Sequence, residues 1–166
     1  MTTSAKVMLL GEIGVGKSSL ARRFVFDRFD VDYKSTIGVD ILTHDVTLGD
    51  GGALRLVLWD TDGDFGASIF ETVYVKGASG AIIVSDATRP ATLAKAARLA
   101  SHFADAFPGR PHRVIVNKTD LSGLEPDAFA SAGVREADVL GTSALTGEGV
   151  QALFVSLAAD IVRRGF

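Results

Sequence analysis

The chain has 166 residues, enough for one domain and too few for a second of full size. Apolar residues make up 47% of it and the net charge is −3; no apolar run nears the ~20 residues of a membrane span, and no block of like charge offers a face to nucleic acid or an anionic membrane. Cysteine is absent, which excludes disulfides, thiolate metal sites, cysteine nucleophiles and thioester-linked lipids.

In chain order, short apolar runs alternate with helical patterns, the signature of βαβ units and a mostly parallel sheet. Val7–Leu10 reads as a buried first strand ending at Gly11, and Ser18–Phe26 as the helix after it. Val39–Leu48 and Ala53–Trp59, joined by Gly49-Asp50-Gly51-Gly52, read as an antiparallel hairpin. Gly80–Ser85, Arg113–Asn117 and Ala137–Leu140 are three further strands. Leu93, Ala96, Ala97, Ala100, Phe103, Ala104 and Phe107 form one helical stripe, which Pro108-Gly109 ends. Val150, Leu153, Phe154, Leu157, Ala158 and Ile161 form another, predicting a C-terminal helix packed on the sheet. The expected fold is α/β: a P-loop NTPase of three layers, a six-stranded, mostly parallel sheet with helices on both faces, and a single domain over residues 1–166.

Between the first strand and the first helix stands Gly11-Glu12-Ile13-Gly14-Val15-Gly16-Lys17-Ser18, a match to G-x-x-x-x-G-K-S/T. The glycines let the backbone curl so that successive N–H groups face phosphate oxygens, and the helix N-terminus adds its dipole. Lys17 would reach the β- and γ-phosphates and the Ser18 hydroxyl would ligate Mg²⁺. Asn117-Lys118-Thr119-Asp120 follows a later strand. A carboxylate there can accept two parallel hydrogen bonds from the N1–H and 2-amino group of guanine; adenine has no such pair of donors, so an adenine-nucleotide kinase is the weaker reading.

With these motifs in place, the sequence resembles the Ras superfamily, most closely its Rab-like branch, along nearly its whole length. Lys34-Ser35-Thr36-Ile37-Gly38-Val39-Asp40 is similar to a Rab-type switch I, Leu58-Trp59-Asp60-Thr61-Asp62-Gly63 to the family's W-D-T-A-G, and Tyr74-Val75-Lys76-Gly77-Ala78 to the Y-Y-R-G-A that ends switch II. Thr142-Ser143-Ala144 resembles the last guanine-contacting loop. The resemblance implies that Gly14, Val15, Gly16, Lys17, Ser18 and Ser19 wrap the phosphates, that Phe29 stacks on guanine, and that Tyr33 covers the phosphates. It implies that Thr36 and Asp60 join Ser18 around Mg²⁺, and that the Gly63 N–H bonds the γ-phosphate. Asn117, Lys118, Asp120, Ser143, Ala144 and Leu145 would form the base pocket, and hydrolysis would turn on Lys17, Thr36, Gly63 and Asp64.

The family's W-D-T-A-G-Q reads Trp59-Asp60-Thr61-Asp62-Gly63-Asp64 here. The water-orienting amide is replaced by a carboxylate, which only accepts. At ~6 Å and an effective dielectric of about 20, each added charge repels a γ-phosphate charge by roughly 3 kcal/mol before relaxation. Ile13 stands where the family carries a small residue, on the side an activating arginine enters, and Ile41 replaces an aromatic of the effector surface. His44, His102 and His112 share no metal-binding spacing and read as solvated or loop residues, and Arg22 and Arg23 as a solvated helix face.

The function expected is a GTP/GDP switch that uses Mg²⁺ and hydrolyses GTP slowly; the alternative is a GTP-loaded scaffold or interaction module whose hydrolysis is nearly lost. Expected partners are effector, exchange or activating proteins at the switch regions, with no nucleic acid and no direct membrane insertion. The first residues show no signal peptide and the last no prenylation motif, so the expectation is a cytoplasmic monomer.

Overall fold

A computed structural model of the chain describes residues 3–29, 38–61 and 63–165. Six strands, β1 (Thr3–Gly11), β2 (Val39–Thr47), β3 (Ala53–Thr61), β4 (Gly80–Asp86), β5 (His112–Asn117) and β6 (Val139–Gly141), form one sheet in the order β2-β3-β1-β4-β5-β6. The β2–β3 hairpin is antiparallel and every other pairing is parallel. Among the described residues four α-helices accompany the sheet: α1 (Lys17–Phe26), α2 (Ala91–Ala106), α3 (Pro126–Ala132) and α4 (Val150–Arg164).

Strand alternation divides the core between the two faces of the sheet. Val7 and Leu9 of β1 point with Leu56, Leu58, Ile82 and Val84 to the side covered by α1 and α4, where Leu20, Phe24, Leu153, Phe154, Leu157 and Ile161 meet them. Met8 and Leu10 point with Ala81 and Ile83 to the other side, against Ala96, Leu99, Ala100 and Phe103 of α2 and against Ile69 and Val75. All seven residues of β4 are buried, as a central strand covered on both faces requires. The six apolar residues of the α4 stripe are all buried, whereas on α2 the buried stripe includes Leu99 and leaves Ala104 exposed.

The three-layer α/β architecture is the one expected from the sequence, with local differences. The segment expected as strand from Ala137 is a 3-10 turn over Glu136–Asp138, closed by the Asp138 N–H donating to the Arg135 carbonyl at 3.0 Å, and pairing with β5 starts only at Val139. α3 has no counterpart in the sequence reading: its seven residues bury only Phe129, too few for a periodic stripe. Gly63–Glu71 and Val73–Val75 form 3-10 turns that pack under α2. Among the described residues no helix is long and apolar enough to cross a membrane.

The parallel strands all present their C-terminal ends at one edge of the sheet. The loops after β1, β4, β5 and β6 therefore gather there, beside the point where the connection from β1 runs to the β2–β3 side of the sheet and the connection from β3 crosses to β4.

Candidate nucleotide-binding site

The phosphate-loop sequence leaves β1 at Gly11 and enters α1 at Lys17, with Gly16 at the helix N-cap in a left-handed conformation (φ 105°). A Cβ at Gly16 would sit 2.2 Å from Nδ2 of Asn117, so this position is glycine for lack of space as well as for its backbone angle. Gly63 makes the other close approach: a Cβ there would lie 2.3 Å from the Ile13 nitrogen, so the backbone after β3 rests directly on the phosphate loop.

Gly14, Gly16, Ser19, Phe29, Asn117, Lys118, Asp120, Ala144 and Leu145 line a single cleft of about 380 Å³, joined by Leu121, which the sequence reading did not include. A larger groove of about 780 Å³, lined by α2, β5 and the segment that follows α3, contains none of the expected site residues. Val15 is fully buried in the core, so only its backbone can serve a ligand. Lys17 and Ser18 are buried beneath the loop, and Lys17 Nζ donates to the carbonyls of Gly11 and Glu12, both at 2.9 Å. The Ser18 hydroxyl donates to a carboxylate oxygen of Asp60 at the end of β3. These two buried hard-oxygen donors in contact beside the phosphate loop are a donor set that fits Mg²⁺. Among the described residues no group of three or more His, Asp or Glu offers a further metal site. Tyr33, Thr36, Asp62 and the side chain of Asp64 lie outside the described residues.

Asn117 is a brace inside the site. It is 1% exposed, donates to the Val15 carbonyl at 3.1 Å, and accepts from Thr142 Oγ1 at 3.1 Å and the Ala144 N–H at 3.3 Å. It thus ties the phosphate loop to the loop after β6. Ser143 is fully buried; its hydroxyl donates to Asp120 Oδ1 at 2.7 Å and accepts the Thr146 N–H, which orients the carboxylate expected to read guanine. Lys118 adopts φ 68°, a left-handed angle unusual for a side-chain-bearing residue. From there its Nζ reaches the Gly14 carbonyl and Asp86 Oδ2, both at 2.8 Å.

Besides Leu121, three residues of the site escaped the sequence reading. Arg23 is not part of a solvated face: its side chain is 17% exposed, Nε donates to the Ala144 carbonyl at 2.8 Å and Nη2 to the Leu145 carbonyl at 2.6 Å. Asp86, 1% exposed, accepts from Lys118, from the Thr88 N–H and hydroxyl, and from Arg89. Burial pushes its carboxyl up, but the hydrogen bonds from Lys118, Thr88 and Arg89 outweigh it and hold the carboxyl below its ordinary value. Arg89, in the β4–α2 loop, also bonds the phosphate loop.

Of the three histidines, His102 on α2 is exposed, as expected, whereas His44 and His112 are not simply solvated. His44 meets Phe24 edge-on at 4.7 Å, and His112 packs 5.9 Å from Phe103. On the surface above the hairpin, Ile41 pairs across from Trp59 and is 48% exposed, while the Lys6 ammonium sits 3.7 Å over the indole.

The profile of the Ras family matches residues 6–163, nearly all of the chain. This chain belongs to the Ras family. Its similarity to curated proteins places it on the Rab-like side of that family. It is 34% identical over 163 residues to the Ras-related protein RABA2a of Arabidopsis thaliana, covering 95% of this chain and 75% of that protein. It is 36% identical over 170 residues to the GTP-binding protein ypt5 of Schizosaccharomyces pombe, covering 97% and 79%. To the Ras-related protein Rab11E of Lotus japonicus it is 34% identical over 163 residues, covering 95% and 74%. The phosphate-loop and Asn117–Asp120 motifs of this Rab-like chain thus lie within the matched span and on the rim of one cleft.

Proposed function

We propose that this Rab-like chain is a single-domain guanine-nucleotide switch that binds GTP or GDP with Mg²⁺ and hydrolyses GTP slowly. The observation that carries the proposal is the single cleft with phosphate-loop backbone on one side and an oriented Asp120 carboxylate on the other. Nucleotide phosphates would lie on the backbone N–H groups from Gly14 to Ser19, with Lys17 turning from the loop carbonyls to the β- and γ-phosphates. Phe29 and the stem of Lys118 would flank the base. Ser18 and Asp60 would hold Mg²⁺, with Thr36 added from switch I; the ion would neutralise phosphate charge as it shifts between oxygens. Gly63 would donate its N–H to the γ-phosphate, so that the backbone resting on the phosphate loop senses that group. Effectors, exchange factors and activating proteins would read the switch surface, where Ile41 and Trp59 lie side by side. The protein would act as a monomer in the cytoplasm.

A second reading rests on the two aspartates of switch II. Asp62 and Asp64 stand where relatives in the resemblance carry Ala and Gln, which favours a chain that stays GTP-loaded and works as a scaffold. The nucleotide carried by the purified protein, with its GTP:GDP ratio, separates the two readings. Guanine specificity is tested by competition among GTP, ATP and XTP: the wild-type chain prefers GTP, and Asp120→Asn shifts preference toward XTP because the C2 oxygen of xanthine suits an amide donor. Equal binding of ATP and GTP by the wild type would end the guanine assignment.

A further inference from the structure

Two consecutive carbonyls of the phosphate loop are each held by a cation. Lys118 Nζ donates to the Gly14 carbonyl at 2.8 Å, and Arg89 Nη2 donates to the Ile13 carbonyl at 2.8 Å. Both cations lean on the same carboxylate oxygen, Asp86 Oδ2, Lys118 at 2.8 Å and Arg89 Nε at 3.2 Å. The turn carrying Arg89 is itself fixed: the Arg89 N–H donates to the Asp86 carbonyl at 3.0 Å, while the Thr92 hydroxyl donates to the Arg89 carbonyl and accepts the Asp86 N–H, both at 2.8 Å.

A trans peptide points its C=O and its N–H in opposite directions. Holding the Ile13 carbonyl outward therefore aims the N–H of the same peptide, that of Gly14, inward, and Gly14 lines the cleft. A charge on the carbonyl side also polarises the peptide and strengthens that N–H as a donor. From this geometry we infer that Arg89 is a positioning residue for phosphate binding: through the Ile13 carbonyl it orients and polarises the Gly14 N–H toward the nucleotide. Lys118 holds the next carbonyl, that of Gly14, and Asp86 keeps the two cations in register. The fork of arginine suits this place because Nε and Nη2 serve two partners at once, which a lysine ammonium on a flexible stem does less well. The bland alternative is a surface cation, 41% exposed, that merely pairs with Asp86.

The inference rests on the nucleotide reading above, and the test keeps the two apart. The full chain, loaded with GDP and Mg²⁺, is followed by release of a fluorescent GDP and by the amide NMR signals of Gly14 and Val15. Loss of one charge-assisted bond predicts about tenfold faster release in Arg89→Ala. The Gly14 amide proton should move upfield, while that of Val15, whose peptide Lys118 still holds at the Gly14 carbonyl, should stay in place. Arg89→Lys should recover release to within about threefold of wild type, since the charge returns without the fork. Arg55→Ala, which removes an ion pair with Asp45 on the hairpin, should leave release unchanged. Unchanged release with an unmoved Gly14 amide in Arg89→Ala would overturn the inference. A wild-type chain that never retains GDP would instead overturn the nucleotide reading.

Discussion

Arg23→Ala tests the least expected support of the proposed base pocket. The substitution removes hydrogen bonds to the Ala144 carbonyl at 2.8 Å and to the Leu145 carbonyl at 2.6 Å. Ala144 is 3% exposed, so its carbonyl lies where water does not readily replace the guanidinium; an unsatisfied buried acceptor costs about 1–3 kcal/mol. Leu145 is 46% exposed and its carbonyl can be rehydrated, so its lost bond adds little, about 0.5 kcal/mol. The ion pair with Asp27 also adds little, because that carboxylate is 93% exposed. The expected cost is about 2 kcal/mol, concentrated in the loop that carries Ser143 and Ala144. If that loop opens without global unfolding, GDP affinity falls about 30-fold; if the cost is global, the melting temperature drops by about 4–8 °C. Fluorescent-nucleotide titration and thermal melting with and without GDP distinguish the two outcomes. A variant with wild-type affinity and wild-type melting would refute the claim that Arg23 braces the base loop.

Two further outcomes follow from the remaining chemistry. Burial, reinforced by the charge of Arg113, pushes the His112 imidazole below its ordinary value of 6.5. A group with a lowered folded pKa adds its full stability above the unfolded value and loses it as pH falls through the folded value. Denaturant midpoints should therefore decline as pH is lowered through and below 6.5, and His112→Gln should flatten that slope; an unchanged slope would show that His112 is not its source. In switch II, Asp62→Ala with Asp64→Gln should raise single-turnover GTP hydrolysis above a wild-type rate expected not to exceed the slow intrinsic rate of Ras, about 3–5 × 10⁻⁴ s⁻¹. Phosphate release measured at equal Mg²⁺ decides, and a slower double variant would mean that the aspartates themselves orient the attacking water.

The sequence by itself determined the fold class, the phosphate loop and the motif expected to read the base. Each is a local matter: a run of backbone and a few adjacent side chains carry the chemistry, and the alternating strand and helix periods predict the layers around them. The buried stripe of α4 and the antiparallel β2–β3 hairpin were legible for the same reason. α3 was not, because seven residues burying only Phe129 leave no periodic trace. Tertiary structure decided how the site is held together. Arg23 is 121 residues from the carbonyl it grips at Ala144, Arg89 is 76 from Ile13, and Lys118 is 32 from Asp86. A charged residue on a helix or loop reads as solvated until the fold sets an opposite charge or an inward carbonyl beside it. Parallel strands bring such distant loops to one edge of the sheet, and only there do these side chains find their partners.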